Sequence, residues 1–377
     1  MTASKSFVLL LLFTWLLAAC VAPPPANIAG AATAMPTVSL APTAVATSTA
    51  TATKAATATS RPTAVPPPAE YTVSAIPLAA PLADDSAEIS GLAWYGDTLI
   101  LLPQYPTFAG NGGFLYALPK SAIQDYLDGR TTDPLTPQAI PFTATGLATQ
   151  INGFEGYEAI AFRGDDVYLT VEANGRNGMM GYLVHGTIAS DLSQITIDTT
   201  TLAEIPPQSG SPNKSDESLL VDGDRLVTLY EVNGAALNDE PVAHLFAPDL
   251  AAMGTVPLAG MEYRVTDATA VDEDGRFWVI NYFFPGDLDL RPQRDPLSEQ
   301  FGRGATHQQH EQVERLVELE LTAGGIRLSG TPPIQLQLPG DDARNWEGIV
   351  RLDNRGFLLA TDKFPTTILG FVATGEN

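Results

Sequence analysis

The sequence is poor in cysteine and in basic residues. One cysteine among 377 residues excludes a disulfide framework and any zinc or iron–sulfur site built from several cysteines. Lys and Arg number 20 against 43 Asp and Glu, which gives a formal net charge of -23. Because nucleic-acid binding needs clustered basic side chains that displace counterions from phosphates, we expect no nucleic-acid partner. Phosphate-loop, nucleophile-elbow and dinucleotide-binding motifs are also missing from the sequence.

The apolar run at residues 7–19 is shorter than the roughly 20 residues that a membrane-spanning helix needs. It follows Lys5 and ends in Leu17-Ala18-Ala19-Cys20, which resembles the lipobox of bacterial lipoproteins. The resemblance implies a signal peptide over residues 1–19, a lipidated Cys20, and anchoring to the extracytoplasmic face of the cell membrane. The alternative is an ordinary secretory signal with a chance cysteine.

Residues 20–69 are predicted to be the lipidated cysteine followed by a disordered stalk. Residues 21–69 contain 16 Ala, 10 Thr and 9 Pro and no acidic residue. Such a composition cannot bury enough apolar surface to offset the entropy lost on ordering. All of the acidic residues therefore belong to the predicted domain at residues 70–377.

Residues 70–377 contain a repeated pattern. Each copy has a polar residue, an apolar run, a turn rich in Gly, Asp or Asn, and a second apolar run that ends on another polar residue. The copies lie at residues 90–104, 158–172, 217–231, 267–281 and 347–362. Such turn residues allow the positive φ of tight hairpins, so each copy predicts a β-hairpin. We expect its opening and closing polar residues to be cross-strand neighbours.

Further strand-like segments follow the hairpins, two after each of the first four but only one after the last. The missing segment exists at residues 71–77. Completion of the last unit by the first strand is how a β-propeller closes its ring without an unpaired edge. We therefore predict an all-β fold, a five-bladed β-propeller of four-stranded blades; six blades are the alternative. The insertions predict a short helix at residues 121–128 and a polar surface loop at 285–311 that includes His307.

Five opening polar residues would converge on the propeller axis, because the innermost strands line the central channel. They are Ser90, Glu158, Glu217, Asp267 and Glu347. Four carboxylates in a narrow channel cannot all remain ionised without compensation, so either they are protonated or a cation lies among them. Oxygen-only ligands favour Ca²⁺ over Mg²⁺ or Zn²⁺. The alternative is that each residue caps a strand or accepts from backbone amides.

The closing residues are less uniform, as expected if they face a ligand or water. Three acids among them are candidates for catalysis: Glu172, Glu231 and Asp362. The candidates for substrate binding are Gln104, Asn281 and the nearby Arg176 and Lys363. For these two basic residues, a salt bridge to a neighbouring acid is the alternative.

Short motifs in these units resemble the phytase-like (esterase-like) β-propeller domain family. They are Ile89-Ser90-Gly91-Leu92, Glu158-Ala-Ile-Ala with Tyr168-Leu-Thr-Val-Glu172, and Glu347-Gly-Ile-Val with Leu358-Leu-Ala-Thr-Asp362. The order of the opening residues also resembles the calcium-activated nucleotidases, in which a Ser is expected where Asp267 stands.

This resemblance covers most of residues 70–377 and implies a propeller with a central Ca²⁺ cofactor. The leading functional hypothesis is metal-dependent hydrolysis of a phosphate ester or anhydride by a membrane-anchored monomer. A non-catalytic propeller that binds a small molecule or a surface partner is the alternative. A propeller that cleaves or binds sugars is a third possibility.

Overall fold

A computed structural model of the chain describes residues 66–110, 112–176 and 178–375. The predicted signal peptide, Cys20 and residues 20–65 of the predicted stalk lie outside the described residues. Within the described ranges, no helix is long and apolar enough to cross a membrane. Nearly all of the regular structure is β-strand.

Two short strands come first, followed by an antiparallel four-stranded group. The initial strands are β1 (Glu70–Tyr71) and β2 (Val73–Ile76), and a 3₁₀ helix follows at Asp85–Ala87. The first group contains β3 (Ile89–Tyr95), β4 (Thr98–Pro103), β5 (Gly113–Pro119) and β6 (Gln138–Thr143), with helix α1 (Lys120–Leu127) before β6. Helix α1 confirms the helix predicted at residues 121–128.

Two more groups follow with the same antiparallel order. The second contains helix α2 (Leu147–Gln150), then β7 (Phe154–Arg163), β8 (Asp166–Gly175), β9 (Gly178–Ile188) and β10 (Ile195–Ile205). The third contains β11 (Asp216–Asp222) and β12 (Arg225–Tyr230), followed after the two-residue β13 (Val232–Asn233) by β14 (Val242–Phe246) and β15 (Ala252–Pro257). Strand β13 itself pairs with the first strand of the next group. In the third group β12 pairs directly with β14.

The last two groups complete the chain. The fourth contains β16 (Met261–Ala268), β17 (Arg276–Phe283), a 3₁₀ helix at Leu288–Leu290, α3 (Pro296–Phe301), β18 (Val313–Thr322), β19 (Gly325–Leu328) and β20 (Ile334–Leu336). The fifth contains β21 (Trp346–Leu352), β22 (Gly356–Thr361) and β23 (Leu369–Ala373).

The five predicted hairpins are confirmed. In each group the first two strands pair antiparallel, and the turn falls at the predicted Gly, Asp or Asn residues. Gly96 and Gly164 occupy two of these turns with φ of 56° and 60°, a left-handed conformation that glycine adopts at little cost. Local turn chemistry therefore determines where each hairpin reverses.

The first and last parts of the predicted domain pair with each other, as predicted. Strand β2 pairs antiparallel with β23, with Val73 opposite Val372 and Ile76 opposite Leu369. The N-terminal strand thus supplies the fourth strand of the last group. Strand β1 adds parallel to β20 at the edge of the fourth group, which the sequence did not predict.

The segment at residues 285–311 is more ordered than the predicted polar surface loop. Helix α3 begins there because Asp295 caps it through Ser298 N and Pro296 occupies its first turn, a local start signal that the composition obscured. The prediction that His307 lies on the surface is wrong. Its ring is 2% exposed, and its Nδ1 lies 2.8 Å from Glu70 Oε1 on β1.

The first strands of the groups contact one another in cyclic order. Strand β3 contacts β7, β7 contacts β11, β11 contacts β16, β16 contacts β21, and β21 contacts β3 again. This order is that of a β-propeller, with the first strand of each group innermost.

The core lies between neighbouring groups. The side chains of β4 show why: Ile100 and Leu102 pack in a cluster shared with the second group, whereas Leu99 and Leu101 pack in one shared with the fifth. Each buried aliphatic side chain contributes roughly 1.5–3 kcal/mol. Because both faces of the strand are covered, the run is apolar throughout instead of alternating.

Candidate functional site

The opening residue of every hairpin lies in a β-bulge. Ile89 pairs with Pro103 and Gly91 with Leu102, so Ser90 has no residue of its own opposite it. The same irregularity occurs in the other four hairpins at their opening residues Glu158, Glu217, Asp267 and Glu347. A bulge turns the extra residue out of the regular alternation, which lets a polar side chain leave an otherwise apolar strand.

The predicted pairing of opening and closing residues is wrong, because of these bulges. Glu158 was expected opposite Glu172, but Glu172 pairs with Gly156, and Ala159 N donates to Thr170 Oγ1. The extra residue shifts the pairing, so that the opening and closing acids are not directly opposite. They are near each other because both face the same cavity.

A cavity of about 740 Å³ contains most of the candidate residues on its wall. From the opening set it includes Glu158, Glu217 and Glu347, and from the closing set Gln104, Glu172 and Asp362, together with Lys363. Ten acidic and three basic residues line it. The candidate site is therefore a strongly acidic cavity of a size typical for small-molecule sites.

Burial and mutual repulsion disfavour the charged form of these acids. Loss of hydration raises the pKa of Glu158, Glu217 and Glu347 well above the usual range, and the neighbouring carboxylates raise it further. Burial likewise raises the pKa of Glu172 to about 7 and that of Asp362 to about 6. The cluster therefore requires either protons or a cation.

Several buried oxygens of these residues have no hydrogen-bond partner. They are Ser90 Oγ, Glu172 Oε2, Glu217 Oε2, Glu231 Oε2 and Asp362 Oδ1. A buried polar atom without a partner costs roughly 1–3 kcal/mol, so this concentration of them in one site calls for a ligand. In the described ranges, no group of three or more Asp, Glu, His or Cys side chains already has the arrangement of a metal site.

Glu231 is compensated by basic residues. Its carboxylate is fully buried and accepts from Arg264 Nη1 at 2.6 Å, while Lys214 Nζ lies 3.7 Å from its second oxygen. Arg264 also donates to Asp287 Oδ2 at 2.7 Å. Glu231 is not on the cavity wall, although Arg264 is. Glu231, a candidate catalytic residue, is therefore the counter-ion of Arg264 on the cavity wall.

Asn345 is a residue of the cavity wall that the repeat did not reveal. Its amide donates to Glu347 Oε1 at 2.7 Å and to Asp362 Oδ2 at 3.2 Å, and it accepts from the Tyr282 hydroxyl. It thus holds an opening acid and a closing acid of the same group in one arrangement. Asn345 has no counterpart at equivalent positions of the other repeats, so only its place two residues before Glu347 could have drawn attention to it.

The structure does not bring Asp267 to the cavity wall. Its two oxygens accept from the backbone N–H groups of Ala268 and Ile349, each at 2.8 Å. Asp267 therefore joins the first strand of the fourth group to the first strand of the fifth. This is the alternative that the sequence left open for each opening residue, namely binding to backbone amides.

Asn281 and Arg176 also lie off the wall. The amide of Asn281 donates to two backbone carbonyls of β16 and accepts from Arg315 Nε at 2.7 Å. Its hydrogen-bonding groups are thus used within the fourth group. Arg176 is exposed near the turn between β8 and β9. Neither residue contributes to the cavity, which leaves Gln104 and Lys363 as its candidate substrate-binding residues.

Each basic residue on the wall has an acidic partner. Arg264 binds Glu231 as described, Arg344 lies 2.7 Å from Glu314, and Lys363 lies 2.7 Å from Glu88. An anionic ligand would therefore compete with these ion pairs in a cavity that is already negative.

Comparisons with known proteins give a remote structural similarity. No protein-family model matches the sequence, and no curated protein does. The chain is similar to the exo-beta-1,3-galactanase of Phanerochaete chrysosporium, with 10% identity, 80% of this chain and 63% of that chain covered, and a TM-score of 0.43. It is also similar to the GH43 BlXynB protein of Bacillus licheniformis, with 12% identity, 80% of this chain and 57% of that chain covered, and a TM-score of 0.42. A third similar structure is an exo-1,5-alpha-L-arabinanase from a bovine ruminal metagenomic library, with 9% identity, 77% of this chain and 94% of that chain covered, and a TM-score of 0.41.

The chain spans less than two thirds of the galactanase and BlXynB chains. Its own strand pairing and cyclic contacts make it a nearly all-β protein of the propeller type.

Proposed function

We propose that residues 70–377 form a five-bladed β-propeller whose axial cavity binds Ca²⁺. Two features of the described residues support the number of blades. Five antiparallel groups contact in cyclic order, and five apolar clusters each lie between two neighbouring groups. The proposed arrangement agrees with the resemblance of the sequence to the phytase-like propeller family.

The unpartnered buried oxygens on and near the wall are the observation that carries the ion site. Ser90, Glu158, Glu217 and Glu347 occupy equivalent bulges and offer only oxygen atoms, the donor set that Ca²⁺ prefers. The residues thus supply the type of donor atom that a calcium ion takes. We assign Asp267 to ring assembly, because both of its oxygens already accept from backbone amides.

Hydrolysis of a phosphate ester or anhydride is the catalytic form of this proposal. Glu172 and Asp362 lie on the wall with one unpartnered oxygen each, so they are the candidates to accept a proton from an attacking water. A bound divalent ion would supply the positive charge that polarises phosphoryl oxygens. Gln104 and Lys363 would then orient the substrate. A non-catalytic propeller that binds a ligand or a surface protein remains the alternative.

We further propose that residues 1–19 are a signal peptide and that lipidated Cys20 anchors the protein to the extracytoplasmic face of the membrane. The lipobox-like sequence and the Ala-, Thr- and Pro-rich segment after it support this placement. Mass spectrometry of the membrane fraction tests it. An acylated N-terminal Cys20 peptide is the expected result, and an unmodified one contradicts the proposal.

Calcium titration of the full chain tests the ion site. We expect Ca²⁺ to raise the melting temperature and to bind in calorimetry, and chelation to reverse both. Glu217→Gln should weaken binding by about tenfold or more, because affinity follows the number of charged ligands. Glu273→Gln, at an exposed turn, is the matched control and should leave binding unchanged. A melting temperature that does not respond to Ca²⁺ contradicts the proposal.

A substrate panel then separates the catalytic form from the binding form. The panel contains aryl phosphates, nucleotides, inositol phosphates and aryl glycosides, each with and without chelator. Turnover of phosphates that is lost on chelation and in Glu172→Gln supports the hydrolase. Calcium binding without any turnover supports the non-catalytic propeller, and metal-independent cleavage of glycosides would point to paired carboxylates acting on a sugar.

A further inference from the structure

Exposed aromatic rings surround the acidic cavity. Tyr105, Phe284 and Phe364 are 41%, 51% and 61% exposed, and all three line the cavity. They are three of the five large hydrophobic side chains that are exposed in the described part of the chain. Exposed apolar surface concentrated at one cavity is a mark of a ligand site, whereas single exposed residues elsewhere need no explanation.

The rings come from equivalent places in three groups. Tyr105 follows β4, Phe284 follows β17 and Phe364 follows β22, each within three residues of the strand end. They therefore lie at the same end of the cavity, which we call its mouth. Only the Tyr105 hydroxyl has a polar partner there, the carbonyl oxygen of Glu155.

The mouth is acidic as well as aromatic. Glu155, Asp341 and Asp342 line the same cavity, and the two aspartates are exposed. Deeper in the cavity, Glu172 and Glu217 are only 3% and 7% exposed and each has an oxygen without a partner. These buried oxygens are a second and independent indication that something binds. The cavity thus offers negative charge and ring faces together.

We infer that the mouth of the cavity binds a small organic cation, a substituted ammonium group with its alkyl substituents against the rings. The negative face of an aromatic ring attracts such a cation, and the carboxylates supply the counter-charge. Without a bound divalent ion, a phosphate would meet ten acidic residues and three basic ones that are already paired. A purely apolar ligand would remove water from carboxylates without compensating them. The inference rests on the proposed function only in that it uses the same cavity.

Choline and its neutral carbon isostere, in which a tert-butyl group replaces trimethylammonium, test this inference directly. Each is titrated into the full chain by calorimetry at matched ionic strength, once with chelator and once with saturating Ca²⁺. We expect choline to bind at least about tenfold more tightly than the isostere, as a partly desolvated cation–π contact of this kind allows. Equal binding of the two, or no binding of choline, overturns the inference.

Variants at the mouth identify the site. Phe364→Ala and Phe284→Ala should each weaken choline binding by about tenfold, and Phe364→Leu should not restore it, since leucine is apolar but has no ring face. Met253→Ala, which removes an exposed apolar side chain outside the cavity, is the control and should bind choline as the parent chain does. Unchanged binding in both Phe variants places choline elsewhere and overturns the inference.

The two proposals fail separately. Glu217→Gln should weaken Ca²⁺ binding while choline still depends on Phe364. If Ca²⁺ binds and choline does not, only the inference about the mouth is wrong. If choline binds and Ca²⁺ does not, the inference stands and the calcium proposal is wrong.

Discussion

Replacement of Asp267 is expected to weaken the ring without weakening ion binding. The carboxyl group accepts from Ala268 N in its own strand and from Ile349 N in β21. One side chain therefore ties together the innermost strands of the fourth and fifth groups.

The magnitude follows from the donors that would lose their acceptor. Asp267→Ala leaves two buried N–H groups unpaired at about 1–3 kcal/mol each. Because the two donors share one acceptor group, their costs are not strictly additive, and the expected loss of unfolding free energy is roughly 2–5 kcal/mol. Asp267→Asn keeps the shape and one acceptor oxygen, so a smaller loss of about 1–3 kcal/mol is expected.

The pH dependence of Asp267 has a definite sign. Burial raises the pKa of Asp267 well above its ordinary value of 3.8, even though backbone donors favour the charged form. Its contribution to stability is therefore complete below pH 3.8 and is lost as the pH rises through the folded-state pKa. Relative to Asp267→Asn, which does not titrate, the parent chain should lose stability as the pH increases through that window.

Urea denaturation of the full chain, followed by tryptophan fluorescence, measures these differences with chelator and with Ca²⁺. At a calcium concentration of a hundred times Kd, the ion should add about 2.7 kcal/mol to the parent chain. Asp267→Ala should retain that increment while losing stability in both conditions. If Asp267→Ala loses the calcium increment and keeps its stability in chelator, then Asp267 is a metal ligand, as its place in the repeat predicted.

Two further predictions concern the fold. Burial opposes ionisation of Asp295, but the charge and hydrogen bonds of buried Arg315 lower the pKa of Asp295 below 3.8. The contribution of Asp295 to folding stability is therefore present above pH 3.8 and is lost as the pH falls through the lower folded-state pKa. Asp295→Asn leaves the Arg315 charge buried without its counter-ion and should lower the free energy of unfolding by about 3–5 kcal/mol at pH 7 in the same urea assay. A loss that does not become smaller on acidification contradicts the ion pair. Gly356→Ala would place a Cβ 1.9 Å from a carbonyl oxygen of β23 and should lower the melting temperature far more than Gly164→Ala, whose Cβ meets nothing within 4 Å; equal shifts would contradict the packing at β23.

The strands, their turns and the closure of the chain could be predicted because their signals are local. Gly with Asp at residues 96–97 and 164–165 specifies a reversal whatever surrounds it. Continuous apolar runs such as residues 99–102 identify strands covered on both faces. The segment at residues 71–77 was recognisable as the missing strand because it ends in Ile76-Pro77, as the other outer strands end in an apolar residue and proline.

The details of the site were less predictable because they depend on backbone groups from other repeats. The pattern placed Glu158 opposite Glu172, but Glu172 pairs with Gly156, two residues away, and the bulge that contributes to this shift has no sequence signal of its own here. The pattern also made Asp267 equivalent to the other acids, whereas the backbone N–H groups of Ala268 and Ile349 already donate to its oxygens. Asn345 was missed because it occurs once, and a search for repeats finds only what recurs.

The position of the site follows from the way the ring is assembled. Each sheet buries both faces against its neighbours, so apolar side chains are required along most of every inner strand. The opening residues of the repeat lie where the regular pairing is interrupted, since each inner strand has a bulge at that point. Because the bulges occur at matching places in the repeat, closing the ring brings their acids together. The loops after the second strands carry no such packing requirement, and this freedom allows Tyr105, Phe284 and Phe364 to stay exposed beside the acids. A ligand that compensates the acids would therefore also stabilise the closed ring, which couples binding at the axis to the stability of the fold.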